Sequence, residues 1–144
     1  MKTAVRLPIA FALCVLAAWT TAAQGVRIEP KPLDASDPQA KRTAVLVTQM
    51  LAGDKAAALK TLRAEADPEF AKKADLEQII DAQIARLTKA KYAIDRFETG
   101  LGADVVVHLE ARDAPAINIV VRYNDAKRMV GFAQVQINEG QASR

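Results

Sequence analysis

Reactive side chains are scarce in this sequence, which holds one cysteine, one histidine and one tryptophan. Cys14 and Trp19 both fall among the first 23 residues, a segment that reads as removed from the folded product. The remainder has no thiol, so cysteine catalysis and disulfide stapling are excluded. Its two serines, Ser36 and Ser143, lie near the ends and cannot be placed in a nucleophile-and-base arrangement. A single imidazole, His108, argues against a histidine-based metal site, which normally takes two or more. The 6 glycines are scattered, with no Gly-x-Gly-x-x-Gly and no lysine-bearing phosphate loop. The sequence therefore assigns no catalytic residue, no cofactor and no metal ligand.

A surplus of one charge is missing too. Residues 1–23 contain Lys2 and Arg6 and no acid, so their loss takes the formal charge from +3 to about +1 and leaves 18 basic against 17 acidic residues. The bases are interspersed with acids, and Lys89 and Lys91 suit a helix C-terminus, so no nucleic-acid footprint is expected. Lys2 and Arg6 precede an apolar run, Leu7 to Trp19, and then the small residues Thr20 to Ala23. That order is the pattern of a secretory signal peptide cleaved near Ala23. The 13 apolar residues would reach only roughly 20 Å across about 30 Å of hydrocarbon, so no membrane span is expected after cleavage. Cys14 lies inside the run rather than at its end, which does not fit lipid attachment. The expectation is export to the periplasm or beyond. The 144 residues less the first 23 leave 121, one domain's worth.

Gln24 to Ser36, with Pro30 and Pro32, reads as an extended arm, where Val26 and Ile28 alternate weakly enough for a short edge strand. Asp37-Pro38 opens the first helix, whose Ala40, Ala44, Val47, Met50 and Leu51 trace one apolar stripe. Gly53 ends it, and Asp54 caps a short second helix over Lys55–Glu65 that buries Leu59 and Leu62. Asp67-Pro68 repeats the signal for one further turn through Phe70. A third helix follows Asp75, its face marked by Leu76, Ile79, Ile80, Ile84 and Leu87 and broken by Gln83. After Lys91 the period drops from 3.6 to 2. An irregular strand over Tyr92–Glu98 precedes Val105, Val107 and Leu109 alternating with Asp104, His108 and Glu110. Ile117 to Tyr123 and Met129 to Ile137 complete an antiparallel meander joined by short turns. The expected class is α+β, three N-terminal helices on one face of a four-stranded antiparallel sheet over residues 37–138, with 139–144 a disordered tail.

Val45 to Asp54, a helix running into Gly-Asp before an alanine-rich helix, and Ile117 to Asn124 followed by Met129-Val130-Gly131-Phe132 resemble the nuclear transport factor two-like superfamily. That superfamily shares its cone-shaped fold with ketosteroid isomerase, and the likeness is to its small exported bacterial members. It spans about Asp37 to Ile137 and implies that the sheet is curved into a cone. Full-length members carry a β-hairpin between the second and third helices, whereas Glu65 to Asp75 is too short and polar for one. The superfamily includes enzymes, ligand carriers and interaction modules, so the resemblance implies no single activity.

An isomerase-like site needs a carboxylate and a phenol aimed into one dry cavity. Tyr123 has the apolar parity of its strand, while Asp104 and Glu110 have the opposite parity in theirs; Asp95 shares parity with Phe97 in the irregular strand. This geometry argues against an isomerase or dehydratase. His108 falls on the wetter face, as an ordinary sheet residue. The leading expectation is an exported, non-catalytic domain that binds a protein partner or itself, through a patch of Val106, Val120, Val130 and Phe132. The alternative is a carrier of a small apolar ligand, held between helices and sheet by Val107, Leu109, Ile119, Val121 and Tyr123.

Overall fold

The computed structural model describes residues 31–136. The expected leader at 1–23, Val26, Ile28, Ile137 and the expected tail at 139–144 lie outside the described residues.

Aspartate opens every helix. The Asp37 carboxylate accepts from the amides of Gln39 (2.9 Å) and Ala40 (3.1 Å) at the head of α1 (Pro38–Leu51). Asp54 does the same for α2 (Lys55–Glu65) through Ala57, Asp67 for α3 (Pro68–Lys73) through Glu69 and Phe70, and Asp75 for α4 (Leu76–Leu87) through Gln78. Each cap satisfies amides that the first turn leaves without a partner. Between α1 and α2 the chain reverses at Gly53, whose φ of +70° is costly for any residue with a Cβ. The expected turn after Asp67 is thus a six-residue helix, and among the described residues the helices number four rather than three.

The strands are β1 (Pro32–Leu33), β2 (Ala93–Thr99), β3 (Val105–Glu110), β4 (Ile117–Tyr123) and β5 (Met129–Gln136). They form one open antiparallel sheet in sequence order. Five strands replace the expected four because the arm supplies β1, with Pro32 and Leu33 opposite Glu98 and Phe97. Thr99 N–H donates to the Lys31 carbonyl at 2.8 Å and extends that pairing.

Alternation decides which face is covered. Val105, Val107 and Leu109 pair with Val121, Ile119 and Ile117, and all six are buried with Phe97, Tyr123 and Met129. Against them lie Ala40, Leu46, Val47 and Met50 of α1, Leu62 of α2, and Ile80 and Leu87 of α4. Helix α1 rests on β3 and packs on α2 and α4, which also touch each other. Fully burying a side chain of this size contributes on the order of 1.5–3 kcal/mol, so this two-layer core dominates the fold's stability. Gln83, which interrupts the apolar face of α4, is buried with it. Lys55 bridges α2 to Glu77 and Asp81 of α4, both at 2.9 Å, in an exposed cluster of small energetic weight.

Two register shifts break the alternation. On β2, Ile94 faces Leu109 while Arg96 faces His108, so Asp95 is an extra residue with no partner. On β5, Phe132 faces Val121 and Gly131 faces Arg122, yet Met129 faces Tyr123, so Val130 is extra. A bulge of this kind reverses the face on which every later residue lies.

Candidate functional site

Val107, Leu109, Ile119 and Val121 are fully buried and Tyr123 nearly so. They are packed core, and a ligand between helices and sheet would have to displace α1. The Tyr123 hydroxyl and Thr43 Oγ1 are 2.8 Å apart, and the Thr43 hydroxyl donates to the Gln39 carbonyl at 2.8 Å. The phenol proton therefore goes to Thr43. Burial pushes the Tyr123 phenol above its usual value near 10, and the Thr43 hydrogen bond partly offsets that rise. Among the described residues no carboxylate hydrogen-bonds the phenol, and the geometry does not assemble the acid–phenol pair of an isomerase.

Among the described residues, open clefts lie elsewhere. One of about 600 Å³ is lined by Lys91, Ala93, Glu110, Ala111, Arg112 and Asp113. A second of about 520 Å³ lies between the end of α4 and the sheet, with Arg86, Lys89, Tyr92 and Gln134 on its walls.

The patch expected from Val106, Val120, Val130 and Phe132 does not hold together. Val106 and Val120 are opposite each other on the sheet's outer face, each half-buried. Phe132 lies opposite core residue Val121 and packs against the core, because the Val130 bulge changes the parity of β5. The residues of β5 that join Val120 and Asn118 outside are Ala133 and Val135. Val135 is 53% exposed.

The edge strand itself is unusual. β5 (MVGFAQVQ) carries no charge, and it borders the sheet. Only its beginning is covered: Ala66 bridges Met129, and the Asp67 amide donates to the Met129 carbonyl at 2.8 Å. Among the described residues nothing pairs with the remaining edge of β5.

The outer face also gathers the titratable groups. His108 lies between Arg96 and Asn118 in the register and is only 7% exposed, since its sheet neighbours close over the ring. The wetter-face parity is as expected, but the imidazole is not wet. Its Nδ1 is 2.7 Å from Asn118 Oδ1. An amide oxygen only accepts, so Nδ1 carries a proton, and in the neutral imidazole Nε2 then presents a lone pair. Nε2 faces Glu110 Oε1 at 3.7 Å. The bulge brings Asp95 alongside, so that Asp95, His108 and Glu110 each offer an atom within 4.8 Å of the others. The sharing of parity between Asp95 and Phe97 is thus overturned: Asp95 is exposed while Phe97 is core. Arg96 binds Glu98 through Nε at 2.8 Å and Asp95 through NH1 at 2.6 Å, and these two hydrogen bonds hold the guanidinium even more firmly protonated than usual. Asp104 is pushed up by burial and drawn back by Arg122, 3.6 Å away. The i, i+2 spacing of His108 and Glu110 was visible in the sequence; the arrival of Asp95 was not.

Comparison with protein-family models, curated proteins and solved structures finds no significant match to this chain. Among the described residues no helix is long and apolar enough to cross a membrane.

Proposed function

We propose that the chain is an exported, non-catalytic interaction domain that associates with a second copy of itself along β5. The observation that carries this is the uncharged edge strand. Soluble proteins protect sheet edges with lysine, proline, bulges or a covering segment, because unpaired amides and carbonyls invite another strand. Among the described residues the bulge at Val130 and the bridge to Ala66 protect the first residues only, and Gly131 to Gln136 run on with neither charge nor proline. A two-fold axis at this edge would pair β5 with its own copy and extend the sheet, with Ala133 and Val135 of each copy on the outer face. Charges of both signs on that face (Arg96, Glu98, Glu110, Arg122) suit a self-complementary contact better than a polyanion.

Export is supported by the charged, apolar and small-residue order of the first 23 residues. Descent from the nuclear transport factor two-like superfamily is supported by helices stacked on one side of an antiparallel sheet, and α3 stands where full-length members have a hairpin. In this reading the sheet is a shallow cone whose interior is filled by side chains.

Sedimentation velocity tests the proposal. The wild type is expected to sediment as a dimer at about 50 µM, and A133K/V135K as a folded monomer, since each lysine would meet its counterpart across the axis. A monomeric wild type, or a charged variant that still dimerises, overturns it.

A further inference from the structure

We propose that Asp95, His108 and Glu110 form a binding site for a first-row divalent cation, with Zn²⁺ the best-matched ion. The site lies within one chain and does not depend on pairing along β5.

Three independent features of the site point the same way. The first is the tautomer. With its proton committed to Asn118, His108 aims the Nε2 lone pair at a carboxylate oxygen 3.7 Å away. That approach sets two electron-rich atoms against each other and is too long for a hydrogen bond. A cation between them turns the repulsion into two bonds. An imidazole whose other nitrogen donates to a carbonyl oxygen is also the usual arrangement of a metal-ligating histidine.

The second is distance. Nitrogen and oxygen ligands held at about 2.0–2.2 Å around a tetrahedral Zn²⁺ lie roughly 3.4 Å apart. The His108–Glu110 separation of 3.7 Å needs only a few tenths of an ångström of adjustment. Asp95 completes the set within 4.8 Å. Arg96 occupies Asp95 Oδ2, and a carboxylate has a second oxygen to give.

The third is burial and charge. The ring is nearly closed off from water, with a side chain 10% exposed, so the ligand is rigidly placed and needs little ordering. Asp95 and Glu110 set two carboxylates beside the ring, and a divalent ion would neutralise their charge. One imidazole with two carboxylates favours Zn²⁺ or its first-row neighbours over Ca²⁺, which takes oxygen donors alone. Glu110 also borders the 600 Å³ cleft, which leaves room for water or a small ligand at the ion's open position.

The test uses tag-free protein stripped with EDTA and titrated with Zn²⁺ by calorimetry, with Co²⁺ as an optical probe of coordination. One saturable site per chain is expected. E110Q and D95N should each weaken it about tenfold or more, and H108Q should remove the Co²⁺ spectrum. Loss of the Asn118 anchor in N118A should weaken binding without abolishing it. Glu110 and Asp95 are exposed, so their variants keep the test sound should H108Q fail to fold, which far-UV circular dichroism will show. The proposal is overturned by a wild type without saturable Zn²⁺ binding, or by E110Q and D95N binding within twofold of it.

Discussion

Replacing Tyr123 by phenylalanine isolates one buried hydrogen bond. The phenol donates to Thr43 Oγ1 at 2.8 Å, and its nearest other acceptor, the Gln39 carbonyl, is 3.4 Å away. In Y123F the ring stays packed and Thr43 still donates to Gln39. Only one net hydrogen bond disappears, at a cost of about 1 kcal/mol. T43V is worse, because it leaves the phenol proton with nothing but a long contact, and about 2 kcal/mol is expected for a buried donor left nearly unpaired. The double variant removes both polar groups, so its loss should fall short of the sum by about 1 kcal/mol. Urea unfolding followed by circular dichroism at pH 7 measures all three, and a loss of 1 kcal/mol corresponds to roughly 4 °C in Tm. The pH dependence has a definite sign. Burial raises the folded phenol's pKa above the unfolded value near 10, so its stabilising contribution is complete below pH 10 and is lost as pH climbs through the folded value. The wild type's advantage over Y123F should therefore shrink in alkali. A Y123F protein as stable as wild type, strict additivity with T43V, or a gap that widens above pH 10 would refute this account of the buried pair.

Asp67 does two jobs, capping α3 through Oδ1 and accepting from Asn124 Nδ2 through Oδ2 at 2.9 Å. D67A should cost about 2 kcal/mol, against about 1 kcal/mol for D54A, which loses a cap alone; equal melting temperatures would contradict this. Burial raises the Asp104 carboxyl above its usual value, and Arg122 only partly offsets the rise. Its raised folded pKa means that it favours folding below the unfolded value of about 3.8 and opposes it at neutral pH. D104N should melt no lower than wild type at pH 7, with the difference vanishing near pH 3, as thermal scans at the two pH values will show.

Much of the layout was legible because its causes are local. Asp37, Asp54, Asp67 and Asp75 mark helix starts by the reach of a short carboxylate to the next amides, and that holds whatever the helix later touches. Alternation over Val105–Leu109 and Ile117–Tyr123 identified the buried face for the same reason. α3 was read short because Pro68 announces a beginning but Phe70 to Lys73 carry no periodic stripe to mark an end. β1 has no signature in the sequence because two residues cannot show a period, and Pro32–Leu33 is a strand only by virtue of Glu98 and Phe97 opposite it.

Residue order alone thus determined where each described helix starts, the approximate place of β2 to β5 and which side of β3 and β4 is greasy, since backbone capping and side-chain period act within a few residues. Tertiary structure decided where the periods slip. Whether Asp95 or Val130 becomes the extra residue depends on how the neighbouring strand registers, and that is set by pairing across strands rather than by the residues beside it in the chain. That choice turned Phe132 inward and set Asp95 beside His108 and Glu110.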